Sequence, residues 1–264
     1  MHEPAPPERE PSQPEGKAAA APPIREQHYR DKIPHRGRGV GDLDRRVGGV
    51  FGEIDERLGR RDVVRILELG CGYGTALLEL RARYGRRVEL HGLNRRPGDG
   101  NPEILLRNAA ERGLTGASVA ANVPWPAIAY ADVAGGLPFA DDAFDLVYSQ
   151  VAWLYFGNKV GVLRDVMRVL RPDGVARIDA DEVRSDLPPE YRRLVEIWES
   201  GRLLPLGDYV RRYGMTLAPA AEGEYLRFGK SAGFGEDLTP VLEIDLSTLH
   251  VHWDGIKCVY RCGS

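Results

Sequence analysis

Glu68-Leu69-Gly70-Cys71-Gly72-Tyr73-Gly74-Thr75 sets three glycines at alternate positions behind a carboxylate. The preceding run, Val63-Val64-Arg65-Ile66-Leu67, is apolar and β-branched, the pattern of a buried strand. Ala76, Leu77, Leu78 and Leu80 then start a helical pattern. A glycine turn between strand and helix lets the backbone approach a ligand closely, because no Cβ intervenes. The helix N-terminus behind it offers free N–H groups. This is nucleotide-binding chemistry. A dinucleotide fingerprint, G-x-G-x-x-G, would need its third glycine where Thr75 stands; Gly74 comes one position early. A tight turn without a ligand is the plainer reading. Three clustered glycines, each costly in backbone entropy, argue against it.

A second constellation lies near the C-terminus. His250, His252, Cys258 and Cys262 have the spacing H-x-H-x5-C-x3-C, which invites a zinc reading. Asp254-Gly255 between them is a type I′ hairpin signal. That turn pairs Trp253 with Ile256, His252 with Lys257 and Val251 with Cys258. Val251, Trp253, Ile256, Cys258 and Tyr260 then form one apolar face, and the histidines point away from the cysteines. The expectation is a hairpin completing the main sheet, with no metal.

The elements around the glycine loop come in a fixed order. Val88–Asn94 is a second strand, ending about 20 residues past Gly74. Tyr130-Ala131-Asp132-Val133-Ala134-Gly135-Gly136-Leu137-Pro138-Phe139 precedes Asp141-Asp142-Ala143-Phe144-Asp145-Leu146-Val147-Tyr148-Ser149, whose end, Phe144–Ser149, is a fourth strand. Gln150 leaves its carboxyl end, where ligands of open α/β sheets bind. Val166–Leu170 reads as a helix end before Arg171-Pro172-Asp173-Gly174, where Pro172 stops the helix and Gly174 turns into a strand over 175–180.

These four blocks, from about Arg61 to Ala180, resemble the class I S-adenosylmethionine (SAM)-dependent methyltransferases. The resemblance implies a Rossmann-like seven-stranded, mostly parallel α/β sheet flanked by helices, with an antiparallel C-terminal hairpin. It also implies a helical N-terminal cap and a helical insertion after strand five. It makes SAM the cofactor, with Glu68, Gly70, Cys71, Gly72, Gly74, Asn94, Asp132, Val133 and Gln150 as its contacts. Asp132 would accept from the adenine amine and the Val133 N–H would donate to the ring. The family ends its second strand in Asp or Glu, which accepts from both ribose hydroxyls. Here Asn94 stands there, able to accept and donate without charge assistance. Asp173 likewise replaces the family's usual glycine.

Residues 1–23, rich in Pro, Ala and Glu, read as a disordered tail. Residues 24–60 read as a helical cap, with Val47, Val50, Phe51, Ile54 and Leu58 on one face of an amphipathic helix. Residues 61–264 form the SAM-binding domain, with a substrate-side helical insertion over about 183–215; Leu187–Glu199 and Leu203–Tyr213 are its expected helices. Tyr225–Phe228 and Leu242–Leu246 are the alternatives for the strand before the terminal hairpin.

The net charge of −3 gives no pull toward nucleic acid, and three cysteines do not make a disulfide framework. No apolar run reaches the ~18–20 residues of a membrane helix, and the N-terminus lacks a signal-peptide core. The expectation is a soluble cytoplasmic protein without a membrane partner.

Methyl transfer to a hydroxyl or ammonium needs a base. His28, His35, Tyr155, Asp179, Asp181 and Glu182 are candidates. The family's amino-methylases of nucleic acids carry a [DN]-PP-[YFW] run after strand four. Ser149-Gln150-Val151-Ala152-Trp153-Leu154-Tyr155-Phe156 has no proline, which argues against base amines. Trp153, Tyr155 and Phe156 either wall the cleft or pack helix to sheet. The reading is a methyltransferase acting on O or N of a small molecule, such as a secondary metabolite or modified peptide. The alternatives are a SAM-binding regulatory protein without turnover and, from the Arg-rich segment 30–65, an RNA methyltransferase.

Overall fold

A computed structural model describes residues 38–114, 124–153, 156, 159–179, 195–199, 202–205, 211–212, 214–230, 243–244, 250–252 and 255–261. Its centre is a seven-stranded sheet. In chain order the strands are β1 (Val64–Leu69), β2 (Val88–Asn94), β3 (Ala127–Tyr130), β4 (Phe144–Ser149), β5 (Leu170–Asp179), β8 (Thr216–Pro219) and β9 (Glu224–Gly229). Across the sheet the order is β3-β2-β1-β4-β5-β9-β8. Neighbours from β3 to β5 are parallel, and β9 pairs antiparallel with both β5 and β8. Six strands therefore run one way, and β9 alone runs against them. The chain leaves β1 toward β2 and β3, then returns to β4 on the other flank. That reversal opens a crevice at the carboxyl ends of β1 and β4.

Helices cover both faces: α1 (Val40–Val47), α2 (Val50–Leu58), α3 (Thr75–Tyr84), α4 (Pro102–Glu111) and α5 (Lys159–Val169). The two-residue period of β1 divides the core. Val64 and Ile66 pack with α1, α2 and α3, whereas Leu67 and Leu69 pack with α5. Glu68, in phase with Ile66, is carried into the first of these layers.

The expected single cap helix is two helices. Gly48 and Gly49 both take positive φ, 56° and 66°, which stops α1 and restarts the chain as α2. Side chains make the break stable: Arg177 donates to the Val47 carbonyl at 3.1 Å, and Asp44 Oδ1 accepts from Val50 N–H at 2.7 Å. Val47, Val50, Ile54 and Leu58 are still buried together, with Phe51 partly buried beside them.

The insertion also differs. Val195–Glu199 (β6) and Arg202–Pro205 (β7) form an antiparallel strand pair where helix was expected. The β-branched and aromatic residues Val195, Ile197 and Trp198 suit a strand, and their i, i+2, i+3 spacing does not separate the two periods. The antiparallel strands completing the main sheet are β8 and β9, not the 250–261 hairpin. Of the two candidate strands, Tyr225–Phe228 falls in β9. Glu243–Ile244 (β10) pairs instead with β12 (Gly255–Arg261), which also pairs with β11 (His250–His252) and β6 in a second sheet. The hairpin register is shifted from the expected one, with His250 opposite Lys257 and Val251 opposite Ile256. A turn signal locates a hairpin; strands elsewhere in the chain decide which sheet receives it. No helix among the described residues is long and apolar enough to cross a membrane.

Candidate active site

The glycine loop leaves β1 through alternate left-handed residues: Gly70, Gly72 and Gly74 have φ of 70°, 52° and 67°. Their surroundings differ. A Cβ on Gly70 would lie 2.3 Å from Ala152 Cβ, and one on Gly74 would lie 2.3 Å from Leu105 Cδ1. A Cβ on Gly72 would meet nothing within 4 Å. The outer glycines let the loop pack; the middle one faces open space. Backbone bonds hold the loop to β2, with Leu93 O accepting from Gly70 N at 2.7 Å and Cys71 N at 3.2 Å. Asn108 of α4 donates to Tyr73 O at 3.0 Å and to Thr75 Oγ1 at 2.7 Å.

Glu68 lies beneath the loop, 1% exposed. Gln150, at the end of β4, donates to Glu68 Oε1 at 3.2 Å. Glu68 Oε2 and Gln150 Oε1 are both buried without a hydrogen-bond partner among the described residues, as is the Tyr148 hydroxyl. Burial, and Glu79 nearby, push the Glu68 carboxyl up to about 8 against a Gln150 bond that lowers it. Burial also holds the Cys71 thiol well above its usual range, so Cys71 is a filler rather than a nucleophile. Two buried acceptors lacking donors, at the carboxyl ends of β1 and β4, are suited to a cationic donor such as an ammonium.

Beyond Gln150 the backbone is strained. Val151 has φ of 59°, an outlier for a β-branched residue. Asp179, at the end of β5 and 1% exposed, accepts from Val151 N–H at 3.0 Å and from Arg46 at 3.3 Å. Asp179 therefore holds a loop in place, which sets it apart from a free base. Trp153 and Phe156 are buried in the α5-side core, edge to face at 5.9 Å, and so pack helix to sheet.

Glu68, Gly70, Cys71, Gly72, Gly74, Asn94 and Gln150 all meet at this crevice. Asp132, exposed, and Val133, buried, follow β3, whose end is tied to β2 by Ala131 N–H donating to Asn94 O at 3.0 Å. The nearby Leu137–Phe139 turn is pinned by Arg168 of α5, which donates to Leu137 O at 2.9 Å and Phe139 O at 2.8 Å. His28, His35, Tyr155, Asp181 and Glu182 lie outside the described residues. Tyr148, Val151 and Gly100 are the residues that the motifs did not single out for this site. Asn101-Pro102, a helix-start signal, was the one local hint that the chain folds back beside the loop at Gly100.

Residues 67–178 match the family model described as a methyltransferase domain. That span, together with the seven-stranded sheet, supports a class I SAM-dependent methyltransferase domain. The chain is 31% identical over 128 residues to a glycine/sarcosine/dimethylglycine N-methyltransferase of Actinopolyspora halophila, covering 46% of this chain and 20% of that protein. A sarcosine/dimethylglycine N-methyltransferase of Halorhodospira halochloris is 29% identical over 57% of this chain and 48% of its own length. The aklanonic acid methyltransferase DauC of Streptomyces sp. (strain C5) is 27% identical over 50% and 56%. The first two matches thus span less than half of the relatives' length.

Proposed function

We propose that this methyltransferase moves the methyl group of SAM to an oxygen or nitrogen of a small molecule, a secondary metabolite or modified peptide being the favoured class. The carrying observation is the orphaned acceptor pair, Glu68 Oε2 and Gln150 Oε1, beneath an open glycine loop. These atoms would take the donor's ammonium. The loop from Gly70 to Gly74 would take its carboxylate and adenosyl backbone, with Cys71 beside it. Asp132 and Val133 would take the adenine. SAM supplies an already activated methyl group, so the chain's own task is alignment and exclusion of water. Named relatives acting on small amines, and a net charge of −3, favour a small acceptor over nucleic acid.

The test is calorimetry with SAM and S-adenosylhomocysteine, followed by methyl release over a panel of small amines and hydroxylated metabolites. Gly72→Val fills the open position above the loop, and SAM affinity is expected to fall at least tenfold, about 1.4 kcal/mol. Unchanged affinity in the folded variant refutes the cofactor placement. Tight SAM binding without turnover on any acceptor favours the regulatory reading.

A further inference from the structure

Asn94 occupies the position from which the family holds the ribose, yet its amide is already engaged. It is 3% exposed. Its Oδ1 accepts from Gly72 N–H at 2.8 Å, and its Nδ2 donates to Gly72 O at 3.0 Å and to Gly100 O at 3.1 Å. The Cys71 thiol lies 3.5 Å from the same Oδ1. One side chain thus meets both polar groups of the middle glycine of the cofactor loop. Gly100 adds a steric statement: a Cβ there would sit 1.9 Å from Gly72 O and 2.9 Å from Asn94 Nδ2. The chain after β2 folds onto the loop only because residue 100 lacks a side chain.

We propose that Asn94 is a positioning residue that fixes the conformation of Gly72, and that the ribose is held by other groups. The site presents one N–H donor and two carbonyl acceptors. A neutral amide matches all three, whereas a carboxylate accepts only and would face two carbonyl oxygens. This chain's departure from the family's acidic residue is therefore a requirement of its own loop packing. The inference rests on the SAM reading above and deepens it.

Asn94→Asp gives opposite results for the two roles. For a ribose holder, the charged acceptor keeps or tightens binding of SAM and S-adenosylhomocysteine. For a positioning residue, both affinities fall at least tenfold at pH 8. The deficit relative to wild type then shrinks as pH falls to 5, because a protonated carboxyl regains one donor. A ribose holder would lose affinity on the same protonation. Gly100→Ala, which leaves Asn94 intact, is expected to weaken both ligands comparably. Nitrogen-15 spectra of the wild-type chain make the test independent of variant folding. The Asn94 side-chain amide protons should be protected from exchange both without ligand and with S-adenosylhomocysteine; loss of protection on binding overturns the proposal. So does Asn94→Asp binding as tightly as wild type. A wild-type chain that binds neither ligand refutes the cofactor reading instead.

Discussion

At the amino end of the sheet, Asp145 is fully buried. It accepts from Arg61, from Arg171 at 3.0 Å and from the Arg65 backbone N–H at 2.7 Å. At the carboxyl end, Glu68 is buried as deeply but takes one amide donor at 3.2 Å, and one of its oxygens takes none. Adjacent strands thus carry two buried carboxylates with opposite surroundings. The first is saturated by cations belonging to the fold, and the second is left short of donors. A folded chain tolerates the second arrangement at a cost in stability, and the shortage marks where an external cation can be received.

Removing the saturated group should have the largest effect. Asp145→Ala leaves Arg61 and Arg171 facing each other across the lost carboxylate and orphans the Arg65 N–H. The expected loss is about 3–5 kcal/mol by denaturant titration, with SAM affinity of the folded protein unchanged. A loss below about 1 kcal/mol would erase the contrast between the two ends.

Asp179→Ala tests the strained loop at the carboxyl end, beside Glu68 and Gln150. Its effect on stability should be smaller, about 1–3 kcal/mol from the Val151 N–H left without an acceptor, partly offset as Val151 relaxes. Gln150 is the preceding residue, so SAM affinity should also fall, by roughly fivefold or about 1 kcal/mol. If stability drops while affinity holds, Val151 strain has no part in the site.

Glu68 gives the smallest effect at neutral pH and the most specific one. Its pKa is raised from 4.5 to about 8 in the folded chain, so the native state retains a proton that the unfolded state has lost over that window. Its contribution to stability is complete below about pH 4.5 and is lost as pH rises through 8. Glu68→Gln should flatten that slope. A ligand ammonium at Glu68 favours the carboxylate, so SAM binding at pH 7 should release close to one proton. Calorimetry in buffers of different ionisation enthalpy measures it, and release undiminished in Glu68→Gln would place the proton elsewhere.

The strands that position the site were legible because their signals are local. Val88–Asn94 and Phe144–Ser149 match the expected bounds, since apolar β-branched runs closed by polar residues need no distant partner to be recognised. The glycine loop was legible for the same reason. The role of Asn94 was not: it depends on Gly100 reaching Gly72, a contact created by the path of the chain after β2. The break at Gly48-Gly49 was also hidden, because the apolar spacing of Val47, Val50, Ile54 and Leu58 is the same with or without it. In the insertion, short apolar spacings fit helix and strand alike, and pairing between β6, β7 and β12 decided.

The latch on the cap helix has a consequence for how the chain is made. Arg46 reaches Asp179, 133 residues downstream, and Arg45 bonds Glu222 at 2.7 Å across 177 residues. The Arg45 carbonyl also accepts from Glu222 N–H at 3.0 Å. Among the first described segments to leave the ribosome, α1 must wait for the β8–β9 turn before its polar face is paired. Such long sequence separations slow the final closing of a fold. Val40, Leu43 and Val47 share their core with Ile66, Leu77 and Leu80, which emerge soon after them, so α1 can be seated on its apolar face well before its outer latch closes.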